Sequence, residues 1–204
     1  ADLEQAWATI DGPVTSFIGT PVDVAMELRD PERIAYALSP EMWPEDQRGP
    51  GDFPEAYAMA EAEAMLVLGK KSEADRLLAG IKARMDKRSN PSRWLANAYY
   101  QPCDLPGMLG DLEGVRAAEA DFLKNAPRDV WGSRGIMLAL AIAFARAGDP
   151  ERSIDYLEKL AGLFGPHLYP WMSVKPGLDA ARKQPRFLAL ETRYKAWQAA
   201  NRHE

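Results

Sequence analysis

The sequence has very little of the chemistry that marks metal centres and nucleophilic active sites. Its 204 residues include one cysteine, Cys103, and two histidines, His167 and His203. A single cysteine excludes an internal disulfide, and ligands this few and this far apart along the chain do not form a recognisable metal site. We therefore expect no bound metal and no cofactor, an inert Cys103, and a structural cap or surface role for His167.

Motifs for catalysis or nucleotide binding are also missing. The chain has no Gly-x-Ser-x-Gly, no Gly-x-x-x-x-Gly-Lys-Ser/Thr and no His-Glu-x-x-His. Glu61 and Glu63 could suggest a pair of carboxylates, but residues two apart do not share a helix face. The sequence therefore predicts no catalytic residues and a protein that is not an enzyme.

Long hydrophobic runs are absent as well. The longest, from residue 136 to residue 145, is about half of the ~20 residues that span a bilayer, so we predict a buried helix and no membrane span in this chain. No charged stretch followed by an apolar segment opens the sequence. Because it begins Ala1-Asp2, we interpret it as a processed form or a fragment. The compartment stays open, with the periplasm slightly favoured over the cytoplasm.

Charge is distributed unevenly. The net charge is −5, but residues 1–63 hold 14 acids and 3 bases, whereas residues 70–93 hold 8 bases and 3 acids. This asymmetry favours association with a partner or between copies, including a possible homodimer, although solvated faces of opposite sign would give the same pattern. The predicted interaction strip consists of Lys82, Arg84, Lys87 and Arg88. Because the pI is about 5.2 and no aromatic ladder interleaves the bases, we do not expect nucleic acid as the partner.

Helix boundaries are clearly marked. Several prolines follow a polar residue that can cap a helix, as in Asp30-Pro31, Asn90-Pro91 and Asp149-Pro150, and Ser72 with Asp75 has the spacing of a capping box. Apolar residues recur at three- and four-residue steps, and no segment alternates as a strand would. The pattern predicts an all-α fold with helices near 3–10, 21–29, 31–38, 53–68, 73–87, 91–100, 112–125, 130–147, 150–162 and 185–202.

A short motif repeats three times. Leu68-Gly69, Leu109-Gly110 and Ala147-Gly148 each join a helix to a second helix that begins within a few residues, and the glycines are 41 and 38 residues apart. A fixed period of this length indicates stacked helix pairs. Residues 101–107, which contain two prolines, interrupt the second pair.

These turns resemble the turn within a tetratricopeptide (TPR) repeat. The segment His167 to Asp179, followed by Gln184-Pro185-Arg186-Phe187, is similar to the closing segment of TPR regions in bacterial signalling and transcriptional regulators. The resemblance implies a short right-handed α-solenoid of about three helix pairs. It divides the chain into an acidic N-terminal segment and linker at 1–52, the repeats at 53–165, and a closing segment with its capping helix at 166–204.

The resemblance also implies a concave groove lined by the first helix of each pair. Projected onto this sequence, the groove residues are Met59, Glu63, Asn97, Tyr100, Leu138 and Ile142. Most are apolar or aromatic, so a peptide carboxylate is not the expected ligand, and the groove must be filled by the N-terminal segment, the closing helix or a partner.

We expect a protein–protein interaction or sensing module of a bacterial regulatory system, with a protein or peptide partner. The alternative is a small-molecule sensor with an apolar pocket between the N-terminal segment and the groove. Two further expectations concern tryptophans. Trp43 should be exposed, and Phe187, Leu190 and Trp197 should form one buried stripe on the closing helix.

Overall fold

The described part of the chain is all-helical. The computed structural model describes residues 2–8, 21–43, 55–87, 101–125 and 130–201, and in these ranges there are helices and turns but no strands. The α-helices are α1 (Asp2–Ala8), α2 (Pro21–Leu28), α3 (Pro31–Ala37), α4 (Ala56–Val67), α5 (Lys71–Met85), α6 (Asp104–Leu109), α7 (Leu112–Asn125), α8 (Val130–Arg146), α9 (Pro150–Phe164), α10 (Tyr169–Val174), α11 (Asp179–Arg182) and α12 (Pro185–Ala200), with a 3₁₀ turn at Pro166–Leu168.

The chain divides into two compact units, Ala1–Pro91 and Ser92–Glu204. The predicted division into 1–52, 53–165 and 166–204 stays a prediction. The predicted linker at 44–52 and the predicted helix at 91–100 lie outside the described residues.

In the first unit, α2 packs against α1, α3 and α4, and α4 packs along α5. The Tyr57 hydroxyl on α4 donates a hydrogen bond to the Leu38 carbonyl at 3.0 Å. Trp43 packs edge-to-face on Tyr57, with 5.3 Å between ring centroids, and is half-buried. The expectation that Trp43 is exposed was therefore wrong, because the start of α4 supplies an aromatic partner for it.

In the second unit, the pair α8/α9 forms the centre of the core. Its largest fully buried side chains include Ile136, Leu140, Phe144, Ile154 and Leu157. The short helix α6 lies so close to α8 that a Cβ on Gly107 would be 2.7 Å from Ala143 Cα. The closing helix α12 adds Phe187 and Leu190 to the same core.

The three glycine turns have the same backbone geometry. Gly69, Gly110 and Gly148 have φ of 74°, 73° and 90°, the left-handed region that glycine adopts without strain. In each turn the glycine N–H bonds to the carbonyl three residues back, and the next N–H bonds to the carbonyl five residues back, as Lys70 does to Met65 at 2.8 Å. This is the Schellman motif that ends a helix. The repeated sequence motif therefore corresponds to a repeated structure.

Two local predictions were wrong. Helix α5 begins at Lys71 rather than at residue 73, and its N-cap, Lys70, makes no side-chain cap, so the Ser72–Asp75 capping box does not form. Asp75 instead accepts a salt bridge from Lys71 at 2.8 Å. Residues 101–107 were predicted to interrupt the second pair, but α6 begins within them at Asp104. Pro106 is tolerated because it lies in the first helical turn, where its missing N–H breaks no helical hydrogen bond.

Candidate interaction surfaces

The predicted groove residues of the first unit lie on α4. Met59 is buried, with 4% of its surface exposed, and Glu63 is half-buried and engaged with a neighbouring group. Being four residues apart, they share one helix face. Met59 therefore offers little surface to a partner, because it already belongs to the core of its own unit.

The groove residues of the second unit lie on α8, and the chain's own closing segment covers part of that face. Leu138 is 6% exposed, and Ile142 is half-buried beneath Gly177, where an added Cβ would be 2.9 Å from Ile142 Cγ2. Gly177 has φ of 87° and takes its place against Ile142 because it has no side chain. Asn97 and Tyr100 lie outside the described residues.

The predicted basic strip is partly neutralised within the first unit. Arg84 pairs with Glu55 at 2.8 Å, and Lys82 pairs with Asp86 at 2.8 Å. The hydrogen bond to Glu55 raises the pKa of Arg84, outweighing the opposite effect of burial. Lys87 is exposed, and Arg88 lies outside the described residues. The strip therefore presents less free positive charge than its sequence suggests.

An ion-pair network that we did not predict joins α7, α9 and α12. Arg186, at the start of α12, reaches Glu151, Asp155 and Glu158 of α9 at 3.1, 2.9 and 2.7 Å. Arg152 of α9 reaches Glu119 of α7 at 2.6 Å. The three carboxylates of α9 are spaced i, i+4 and i+7, so one helix face presents them together. The spacing of the three carboxylates was visible in the sequence, but their pairing with Arg186 was not.

Glu119 is the most enclosed acceptor of the network. Its carboxylate also accepts the hydroxyl hydrogen of Tyr156 at 2.6 Å, and only 13% of the Glu119 side chain is exposed. Burial raises the pKa of Tyr156, and the hydrogen bond and charge of Glu119 raise it further. The tyrosine is therefore held as a neutral donor, which suits a role in fixing α7 to α9 rather than in proton transfer.

Cys103 is fully buried next to α6. Burial raises the pKa of its thiol well above its ordinary value, and the nearby charge of Asp104 raises it further. Since the thiolate is the reactive form of cysteine, this environment suppresses its reactivity. The placement is consistent with the inert cysteine expected at this position.

The closing helix α12 is buried only along its first half. Phe187 and Leu190 are 2% and 3% exposed, as the predicted stripe required, but Trp197 is 39% exposed. The prediction for Trp197 was therefore wrong, because α12 continues beyond the body that its first turns pack against. Tyr194 and Trp197 instead stack on each other, with 6.0 Å between ring centroids.

Tyr169, on α10, joins these rings to the core. It lies 5.6 Å from Phe187 and 5.5 Å from Tyr194, between ring centroids. Burial and then the charge of Glu191 raise the pKa of Tyr169 to about 12. Four aromatic rings thus run in sequence from the interior of the second unit to its surface.

Within the described ranges, no three acidic, histidine or cysteine side chains come close enough to hold a metal ion. Across the same ranges, each helix is too short or too polar to cross a bilayer. Comparison with known proteins found no matching family model, no matching curated protein and no matching solved structure.

Proposed function

We propose that the chain is a non-catalytic interaction module of TPR-like helix pairs, which binds a protein or peptide partner within a bacterial regulatory system. The observation that carries this proposal is the turn shared by α4/α5, α6/α7 and α8/α9, with the same two backbone hydrogen bonds each time. Helix pairs joined by one repeated turn are the building units of repeat proteins, whose usual activity is to present an extended binding surface.

The packing of the second unit supports a stacked arrangement of its two pairs. The first helices of the pairs, α6 and α8, touch through Gly107 and Ala143. The second helix α7 is joined to the N-cap residue of α9 by Arg116 to Asp149 at 3.6 Å, and to α9 itself by Glu119 to Arg152. In both contacts the two residues are 33 positions apart in the sequence. Advancing along α7 therefore advances equally along α9, so the two helices run parallel, as the second helices of successive repeats do.

The regulatory part of the proposal depends on the closing segment. The sequence Gln184-Pro185-Arg186-Phe187 begins α12, where Pro185 occupies the first helical turn, Arg186 binds the carboxylates of α9 and Phe187 enters the core. Arg186 and Phe187 of this segment thus contribute directly to sealing the last helix pair. This supports the resemblance to the TPR regions of bacterial regulators.

The test is capture followed by reconstitution. The chain is immobilised, proteins retained from bacterial extract are identified, and each candidate is purified and titrated against the free chain by isothermal calorimetry. We expect at least one candidate to bind in fixed stoichiometry, with light scattering giving the mass of the complex. Recovery of no binding protein, together with a small molecule retained in native mass spectrometry, would contradict the proposal and favour the sensor alternative.

Association between copies is tested separately. Sedimentation velocity at low and high salt should show whether the charge asymmetry of residues 1–63 and 70–93 produces a dimer, since charge pairs between copies weaken in salt. Reversal of Lys82, Arg84 and Lys87 to glutamate should then abolish the dimer. A monomer at every salt concentration removes the homodimer from the proposal.

A further inference from the structure

The second half of α12 carries a patch of three side chains, which we call the end patch: the exposed Arg193 and Trp197 and the half-buried Tyr194. Arg193 and Trp197 are four residues apart and Tyr194 and Trp197 three, so the three share one face of the helix. From residue 195 to residue 200 every side chain is exposed. The patch therefore projects past the packed body of the second unit.

Stacking holds the aromatic part of the end patch in place. Trp197 lies against Tyr194 at an interplanar angle of 26°, and Tyr194 lies against Tyr169 at the same angle. Tyr169 in turn contacts the buried Phe187. A tryptophan fixed by its neighbours loses little conformational freedom on binding, and such rings are the commonest anchors of protein interfaces.

The charge of the end patch is positive and uncompensated. Glu191 is neutralised by Lys195 at 2.7 Å, and Arg186 is bound to the carboxylates of α9. Among the described residues Arg193 has no ion-pair partner. Next to it, the exposed Ala189, Ala196 and Ala200 leave room for another helix to approach closely.

We infer that the end patch binds an acidic, apolar segment of a partner protein. In this complex the Trp197 ring packs between the apolar side chains of the partner, and the Arg193 guanidinium donates hydrogen bonds to one of its carboxylates. Arg, Tyr and Trp are the residue types enriched among the few side chains that carry most of the binding energy of an interface. This inference rests on the proposed function and specifies that the binding segment of its partner is acidic and apolar.

A second copy of the chain packed in parallel through the same helix does not fit the end patch. Two α12 helices packed in parallel through Trp197 would place the two Arg193 guanidinium groups next to each other. Like charges across an interface are repulsive. An acidic segment supplies the complementary charge instead.

The probe is a fluorescein-labelled helical peptide of glutamate, leucine and alanine, about 18 residues or five turns long. Matched peptides carry glutamine or lysine at every glutamate position. Fluorescence anisotropy is measured with the full chain and with the variants Trp197→Ala and Arg193→Glu. Lys124→Glu, the same charge reversal on an exposed position of α7, is the control.

We expect saturable binding of the acidic peptide, weaker binding of the glutamine peptide and none of the lysine peptide. Trp197→Ala should weaken binding at least tenfold, and Arg193→Glu by a similar factor at low salt, whereas Lys124→Glu should leave it unchanged. Circular dichroism checks that both variants keep their helix content. Because Arg193 is exposed, its variant tests the inference even if Trp197→Ala perturbs the helix.

Three results would overturn the inference: no saturable binding of the acidic peptide, equal binding of the lysine peptide, or equal loss in the Lys124→Glu control. Binding to vesicles of phosphatidylcholine and phosphatidylserine, without binding of the peptide, would also overturn it, because it would assign the end patch to a lipid surface. If the captured partner of the proposed function binds Trp197→Ala and Arg193→Glu as tightly as the unaltered chain, only the end patch fails and the proposed function stands.

Discussion

The helix pairs α4/α5 and α8/α9 have the same turn but different interiors. Both turn at a left-handed glycine with the same hydrogen bonds, at Gly69 and Gly148. Yet the pair α4/α5 buries Met59, Leu78, Ile81 and several alanines, whereas the pair α8/α9 buries Phe144 and a larger number of isoleucine and leucine side chains. Since buried apolar area drives folding, the backbone path of a pair and its stability are set by different residues. The predictions below test this separation.

The largest effect is expected from emptying the interior of α8/α9. Phe144→Ala should lower the free energy of unfolding by about 3–5 kcal/mol, because Phe144 is fully buried and its neighbours can only partly close the cavity. Phe187→Ala, at the other edge of the same core, should fall in the same range. Met59→Ala in α4/α5 should cost about 2 kcal/mol. Urea unfolding followed by circular dichroism measures all three, and equal losses at Phe144 and Met59 would erase the contrast between the two pairs.

Glycines inside helices should respond in opposite directions. Gly107→Ala should destabilise by about 1–3 kcal/mol, because the new Cβ would meet the backbone of Ala143 at 2.7 Å. Gly80→Ala, in the middle of α5, should stabilise by about 0.5–1 kcal/mol, because the nearest atom, Arg84 Nη1, is 3.6 Å away and alanine favours the helix. Thermal unfolding of the two variants gives the sign of each change. A destabilised Gly80→Ala would show that α5 is more closely packed than this geometry implies.

The next largest change in stability is expected from replacing either of two enclosed carboxylates. Glu119→Gln should cost about 1–2 kcal/mol, since the change weakens the bonds from both Arg152 and the Tyr156 hydroxyl. Glu55→Gln should cost less than about 1 kcal/mol, since its partner Arg84 is largely exposed. A double-mutant cycle with Tyr156→Phe isolates the contribution of the hydroxyl. A coupling of zero would mean that the hydroxyl contributes nothing to the attachment of α7.

The smallest effect concerns pH. Burial alone would raise the pKa of Asp155, but the hydrogen bonds and charges of Arg186 and Arg152 outweigh it and lower the pKa below the ordinary 3.8. A lowered folded-state pKa adds stability above the unfolded value and loses it as the pH falls through the folded value. The stability gap between the unaltered chain and Asp155→Asn should therefore be widest near neutrality and shrink below 3.8. Asp75→Asn, which removes a single salt bridge in α5, is the matched control. If the difference in stability between the unaltered chain and Asp155→Asn does not change with pH, the lowered pKa of Asp155 is contradicted.

Much of the fold could be predicted because the sequence signals that begin and end its helices are local. The caps at Asp30 and Asp149 form as expected: Asp30 accepts two backbone N–H groups of the helix that follows it, and Asp149 accepts one. A cap or a glycine turn involves residues within about five positions, so its pattern is visible in the sequence. The short helix α6 was missed, because Pro102 and Pro106 together suggest a loop, and only the structure places Pro106 in the first helical turn.

The candidate surfaces were predicted less well, because exposure depends on where a core ends. Helical spacing placed Trp197 on the stripe of Phe187 and Leu190, and the three do share a face, but nothing in that spacing shows that packing stops near Tyr194. Similarly, net charge identified Lys82 and Arg84 as a strip without showing that Asp86 and Glu55 neutralise them. The Lys82–Asp86 pair is local, with i, i+4 spacing, but the Arg84–Glu55 pair joins residues 29 apart and leaves no periodic pattern.

The position of Cys103 gives the second unit a built-in reporter of local opening. It is the one cysteine of the chain and is fully buried, so a thiol reagent can modify it only when the surrounding residues separate transiently. If closing is faster than modification, the labelling rate divided by that of an unstructured thiol equals the equilibrium constant of opening. Each labelled molecule gains the mass of one reagent, so the labelling rate can be followed by mass spectrometry. Measuring this rate at a range of urea concentrations would show whether the opening is a local fluctuation or the unfolding of the whole unit.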